Sequence, residues 1–143
     1  MVLHIPVLET DRLIMRAFRE ETDFEAYAAF YASHQTKHYG GPLDRAGAWR
    51  AAAAMMGHWI IRGYGVWAVE EKSTGDFCGM VGLWYPEDWP EKEISWATMP
   101  SKQGQGIAAE AAIRAKRYAF ETLGWTQAHS CIRAENVASI KLA

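Results

Sequence analysis

One stretch constrains this chain more than any other: Gln103-Gly104-Gln105-Gly106-Ile107-Ala108-Ala109-Glu110-Ala111-Ala112. It joins a strand-like run ending near Thr98 to an alanine-rich helical run reaching about Leu123. Two glycines one residue apart at the mouth of a helix let the backbone turn tightly and leave its N–H groups uncovered. Uncovered N–H groups at the positive end of a helix dipole form an anion site. Gly-x-Gly ahead of a helix also occurs where no anion binds, so the rest of the chain has to decide.

Thr126 to Arg133 reads as a further strand, so strand, glycine turn, helix and strand form a βαβ unit with parallel strands. Upstream, Arg12 to Phe18 is strand-like after a short lead-in, and Thr22-Asp23 offers a cap for a helix through Tyr31. The glycines and proline between His34 and Pro42 mark a loop. A second helix is expected from about Asp44 to Ile61, with Trp49, Ala52, Ala53, Met56, Trp59 and Ile60 as its apolar face and Gly63 as its stop. Residues 65–70 and 77–85 read as strands around the turn Ser73-Thr74-Gly75-Asp76, hence an antiparallel hairpin, and 93–98 resumes the strand pattern. From Asn136 the chain reads as helical again. The class is mixed α/β with a largely antiparallel front half.

The 143 residues suit one domain, 1–143, able to bury a core, and the half that are hydrophobic argue for a globular chain. A net charge of −2 argues against a nucleic-acid surface. The two cysteines, Cys78 and Cys131, lack CxxC spacing and read as reduced thiols, and the five histidines lack ligand spacing, so no metal is expected. With no signal-like N-terminus and no apolar run near the roughly 18 residues that span a bilayer, a soluble cytoplasmic protein is the expectation, with no membrane partner. No Gly-Lys-Ser/Thr follows the glycines, which removes P-loop nucleotide hydrolysis.

Four pieces, in order, resemble the GNAT superfamily of acetyl-CoA-dependent N-acetyltransferases, in particular its ribosomal-protein-alanine acetyltransferase-like branch. Glu9-Thr10-Asp11-Arg12-Leu13-Ile14-Met15-Arg16 is similar to "E-T-x-R-L-x-L-R", and Gly75 to Gly82 to "G-x-x-I-G-x-x-G". Glu93-Ile94-Ser95-Trp96 with Pro100, Gly104, Gly106 and Ile107-Ala108-Ala109-Glu110-Ala111 is similar to "E-I-G-Y … P … G-x-G-Y-A-T-E-A". Asn136-Val137-Ala138-Ser139 matches "N-x-x-S". The chain departs from the family at Ser101, where the signature carries Arg or Gln, and at Ala143, where many members carry a tyrosine acid. It also ends before the family's "G-F" and last two strands, from which a C-terminally truncated record is the expectation.

The resemblance implies a mostly antiparallel central sheet flanked by helices, with a parallel βαβ cofactor unit and a splay between two strands. It implies acetyl transfer from acetyl-CoA to a primary amine, on a protein N-terminus or a small molecule, by direct attack. A catalytically silent acyl-CoA-binding or interaction module of the same fold is the alternative. The implied cofactor residues are Ala97, Thr98, Met99, Gln103, Gly104, Gln105, Gly106, Ile107, Ala108, Asn136 and Ser139, with Ala108, Ala112, Ala115 and Ala119 as a small-residue face of the helix. Lys102 is either a nearby cation or simply solvated. An ammonium has no lone pair, so a general base is required, and Glu93 is the candidate; the alternative is a solvated glutamate in the run Glu91-Lys92-Glu93. Tyr31, His38, Tyr39, Trp84 and Tyr85 are the acceptor-side candidates, with Trp59 and Trp89 also available, each of which could equally be core. A homodimer is the assembly considered.

Overall fold

A computed structural model describes residues 3–38 and 40–129, apart from the side chains of Gln35 and His38. Five strands follow one another in a single sheet in chain order: β1 (Leu8–Glu9), β2 (Leu13–Arg16), β3 (Val66–Glu71), β4 (Phe77–Trp84) and β5 (Glu93–Thr98). Every neighbouring pair is antiparallel. Helices α1 (Glu20–Ala32) and α2 (Arg45–Arg62) lie between β2 and β3, and α3 (Ile107–Glu121) follows β5. A parallel bridge joins Glu93 to His129, with the Ile94 N–H donating to the His129 carbonyl at 2.8 Å. Of the strand expected over 126–133, residues 126–128 form no strand and His129 makes this one bridge, while residues 130–143, including the helix expected from Asn136, lie outside the described residues.

Strand alternation sends side chains to two cores. On one face Leu13, Met15, Trp67, Val69, Val81 and Leu83 pack with α3. On the other, Val66, Ala68, Met80 and Met99 pack beneath Phe24, Tyr27 and Phe30 of α1 and Ala48 and Ala52 of α2. No helix of the described residues is long and apolar enough to cross a membrane.

Several boundaries differ from the sequence expectation for identifiable reasons. The two-residue β1 is too short for any periodicity to announce it; it pairs Leu8 with Met15 and Glu9 with Ile14. Helix α1 starts at Glu20, before Thr22-Asp23, and Asp23 acts from inside it, its carboxylate accepting the Arg19 N–H at 2.8 Å. Helix α2 begins as expected, Asp44 capping the Gly47 N–H at 2.7 Å, and ends at Gly63 in the left-handed region. Its apolar face matches the expected one only in part: Ala52, Met56 and Trp59 pack on the core as expected. Ala48 joins them in the buried stripe, whereas Trp49 and Ile60 are half exposed and Ala53 is exposed, so the stripe is shifted toward Ala48. On α3 the fully buried small residues are Ala111, Ala115 and Ala119, at strict four-residue spacing below Ile107, and Ala108 and Ala112 flank that row.

Candidate active site

The glycine turn leaves the C-terminal end of β5 through a short 3-10 turn, Pro100–Lys102. Gly104 and Gly106 both have φ of 77°, left-handed positions where a side chain would be strained. Gly106 is the N-cap of α3 and brings no side-chain cap. The first intrahelical bond runs from the Glu110 N–H to the Gly106 carbonyl at 3.1 Å, which leaves the N–H groups of Ile107, Ala108 and Ala109 ahead of the helical ladder. They lie at the positive end of a 15-residue helix. Two amide side chains stiffen the turn from within: Gln103 Nε2 donates to the Thr98 carbonyl at 3.0 Å, and Gln105 Nε2 to the Ser101 carbonyl at 3.1 Å. Ser101 thus participates through its backbone.

Lys102 is neither a cradle cation nor a solvated lysine. Its ammonium binds Glu71 at 2.8 Å and Asp76 at 2.9 Å, fastening the turn to the β3–β4 hairpin. Those two carboxylates hold the ammonium's pKa above its ordinary value.

The candidate β5 residues separate by alternation. The Ile94 N–H points to the outer edge and the Met99 N–H donates inward to the Cys78 carbonyl at 2.8 Å, so residues 94, 96 and 98 present backbone groups to the outer edge. Of Ala97, Thr98 and Met99, only Thr98 faces that edge with its backbone. Ala97 and Met99 turn their side chains into the α1/α2 core.

Glu93 opens β5 and is 5% exposed, so it is not the solvated strand-end carboxylate that its charged run suggested. It stands directly across from Trp84 in the β4–β5 register. Trp84 packs with the α1/α2 core and stacks on His58 of α2, ring centres 4.7 Å apart and planes at 17°. His58 is itself fixed at both nitrogens: the Tyr85 N–H donates to Nε2 at 2.9 Å, which leaves Nδ1 to donate to the Tyr64 carbonyl at 2.7 Å. Burial first, and then the charge of Arg62, push its pKa below the ordinary value, so the ring is neutral. Nothing in the sequence singled out His58, since a lone histidine in a helix carries no spacing signal.

Tyr31 lies on the same side, its ring 4.9 Å from Tyr27 and packed on the α1/α2 core. Tyr85 does not share a wall with Trp84, because it follows Trp84 in an extended chain and turns to the opposite core, under the Arg62 guanidinium. Trp59 is core, its indole N–H donating to the Val66 carbonyl at 2.8 Å, and Trp89 sits at the surface. Tyr39, Asn136, Ser139, Cys131 and Ala143 lie outside the described residues, as does the His38 side chain. A cavity of about 510 Å³ lined by Tyr64, Tyr85, Lys92, Trp125 and His129 lies at the other end of β5 from the glycine turn.

Residues 12–143 match the family described as the acetyltransferase (GNAT) domain, and the chain belongs to that family. It is 27% identical over 143 residues to the uncharacterized N-acetyltransferase YoaA of Bacillus subtilis, covering 96% of this chain and 79% of that protein. The crystal structure of an acetyltransferase from Agrobacterium tumefaciens superposes with a TM-score of 0.90 at 32% identity, over 99% of this chain and 82% of that one. Mycobacterium smegmatis RimJ, solved in complex with CoA-disulfide, shares the fold at a TM-score of 0.68 and 17% identity, over 91% of this chain and 66% of that one. The chain is an acyltransferase of the GNAT class, and its mixed α/β architecture, a mostly antiparallel central sheet flanked by helices, is the expected one.

Proposed function

We propose that this protein transfers the acetyl group of acetyl-CoA to a primary amine by direct attack. The observation that carries the reading is the uncapped N-terminus of α3 behind two left-handed glycines, at the end of a strand whose outer edge takes up a parallel partner only at its beginning among the described residues. In this reading the N–H groups from Gly104 to Ala108 hold the pyrophosphate, and the pantetheine arm runs along the outer edge of β5 past Thr98. Binding of CoA by the RimJ relative supports the choice of donor.

The acceptor approaches from the α1/α2 side, the core on which Tyr31 and Glu93's register partner Trp84 pack. Glu93 takes a proton from the ammonium. The freed nitrogen lone pair attacks the thioester carbonyl to form the C–N bond, the C–S bond breaks with its electron pair going to sulfur, and the proton that the new amide nitrogen sheds converts the thiolate to the free thiol. No acyl-enzyme is formed. The acceptor is a protein N-terminus or a small-molecule amine, and relatives that act on ribosomal proteins favour the former.

A panel of amines and N-terminal peptides assayed for acetyl-CoA-dependent thiol release tests the reading. Release is expected with at least one class of amine, and Glu93→Gln should lower kcat by roughly tenfold or more near neutral pH. Binding of acetyl-CoA with no release for any amine would leave the silent module. An unchanged pH–rate profile in Glu93→Gln would remove that residue from the mechanism.

A further inference from the structure

The cradle contains an apparent contradiction. Glu110 lies in the first turn of α3. A carboxylate there favours the helix but opposes any anion arriving at the same N–H groups. The structure disposes of this charge through the N-terminal segment, about a hundred residues away in sequence. One carboxylate oxygen accepts from the Thr10 hydroxyl and, at 3.1 Å, from the Arg12 backbone N–H; the other accepts from Arg12 Nε at 2.8 Å. Although burial alone would raise it, these bonds hold the Glu110 carboxyl below the usual carboxylate range.

The same guanidinium reaches the glycine turn. Arg12 Nη1 donates to the Gln105 carbonyl at 3.0 Å, and Nη2 lies 3.5 Å from where a Cβ on Gly106 would sit. In a trans peptide the carbonyl of one residue and the N–H of the next point opposite ways. Fixing the Gln105 carbonyl toward Arg12 therefore aims the Gly106 N–H away from Arg12, on the side left for the anion.

We propose that Arg12 is a positioning residue for the CoA donor: it neutralises Glu110 and sets the Gln105–Gly106 peptide so that the turn receives a pyrophosphate. This deepens the acetyl-CoA reading and rests on it. Half-exposed ion pairs contribute little to stability, and the Arg12 side chain is 45% exposed. The main effect of losing it should therefore appear in donor binding rather than in folding.

The test uses Arg12→Gln, Arg12→Lys, Glu110→Gln and the double variant Arg12→Gln/Glu110→Gln. CoA affinity is measured by calorimetry, and kcat and KM for acetyl-CoA at about 50 and about 500 mM salt, either side of strong screening. Arg12→Gln should stay folded, weaken CoA and raise KM by roughly tenfold or more at low salt, and leave kcat within about twofold. Arg12→Lys should fall between it and wild type. High salt and the double variant should each recover part of the loss, because the uncompensated Glu110 charge is then screened or gone. A folded Arg12→Gln with wild-type affinity overturns the proposal, as does a loss that neither salt nor the second substitution moves. Should Arg12→Gln fail to fold, Glu110→Gln serves instead: its CoA affinity should equal or exceed wild type, and a tenfold weakening overturns the proposal. Wild type is titrated alongside. If wild type binds CoA and Arg12→Gln binds equally, only this inference falls; if wild type binds none, the donor reading falls with it.

Discussion

At the scale of single residues, the strongest polar fixture is Arg16 with Asp23. Both are buried, and the guanidinium reaches the two carboxylate oxygens at 2.8 and 3.0 Å. Arg16 Nε also binds Glu70 at 2.9 Å, and Asp23 takes the Arg19 N–H, so β2, α1 and β3 meet at one point. Removing Asp23 leaves the buried guanidinium with Glu70 on Nε alone and no carboxylate on its terminal nitrogens, which costs far more than the pair gains over apolar packing. Asp23→Ala should therefore lower unfolding stability by about 3–5 kcal/mol, read from the midpoint and slope of a urea transition. A loss below about 1 kcal/mol would show that water reaches Arg16. The sequence reading placed Asp23 at the right helix end, where its carboxylate does take the N–H of the cap residue Arg19, but missed its pairing with Arg16. Capping patterns are local, whereas its decisive partner is set by the way β2 runs into α1. Arg12 and Glu110 carry the same lesson. Both stand in recognisable motif pieces, yet their contact spans 98 residues and no local pattern couples them.

At the scale of elements, His58 joins α2 to the start of β3 and the end of β4, and its stacked partner Trp84 faces Glu93 across the sheet. The folded ring has a lowered pKa, so the native state binds fewer protons than the unfolded chain, whose histidine titrates near 6.5. Stability then rises with pH: the His58 contribution is whole above about pH 6.5 and is lost as pH falls from there through the folded pKa. Chemical denaturation between about pH 7.5 and 5 should show this loss, at up to about 1.4 kcal/mol per pH unit. His58→Gln should be less stable throughout but flatter across that window. An equally steep profile in the variant would assign the titration to another group. Element identity was legible where a signal was dense. The β3–β4 hairpin has its Ser73-Thr74-Gly75-Asp76 turn between apolar runs, and α2 has Asp44 and Gly63 at its ends. The edges of α2's buried face were not legible, because Trp49, Ala53 and Ile60 are also apolar at helical spacing and only the packing against α1 and the sheet leaves them out while Ala52, Met56 and Trp59 pack.

At the scale of the whole molecule, the chain order became the sheet order, β1 to β5, with α3 on one face and α1 and α2 on the other. That arrangement puts the glycine turn at one end of β5 and Glu93 at the other. The turn was legible because its glycines, its strand and its helix are contiguous. The acceptor-side candidates were not separable in the sequence: Trp84 and Tyr31 pack on the α1/α2 core and Tyr85 on the opposite one, and aromatic composition alone cannot tell a wall from a core. The central claim is that the turn and α3 hold acetyl-CoA. The most direct measurement is the melting temperature of the wild-type protein against acetyl-CoA concentration. A ligand bound only by the native state adds about 2.7 kcal/mol at a hundred times its Kd. For a chain of this size that is a rise of roughly 8 °C, growing logarithmically with ligand. A melting temperature unmoved at millimolar acetyl-CoA would contradict the account.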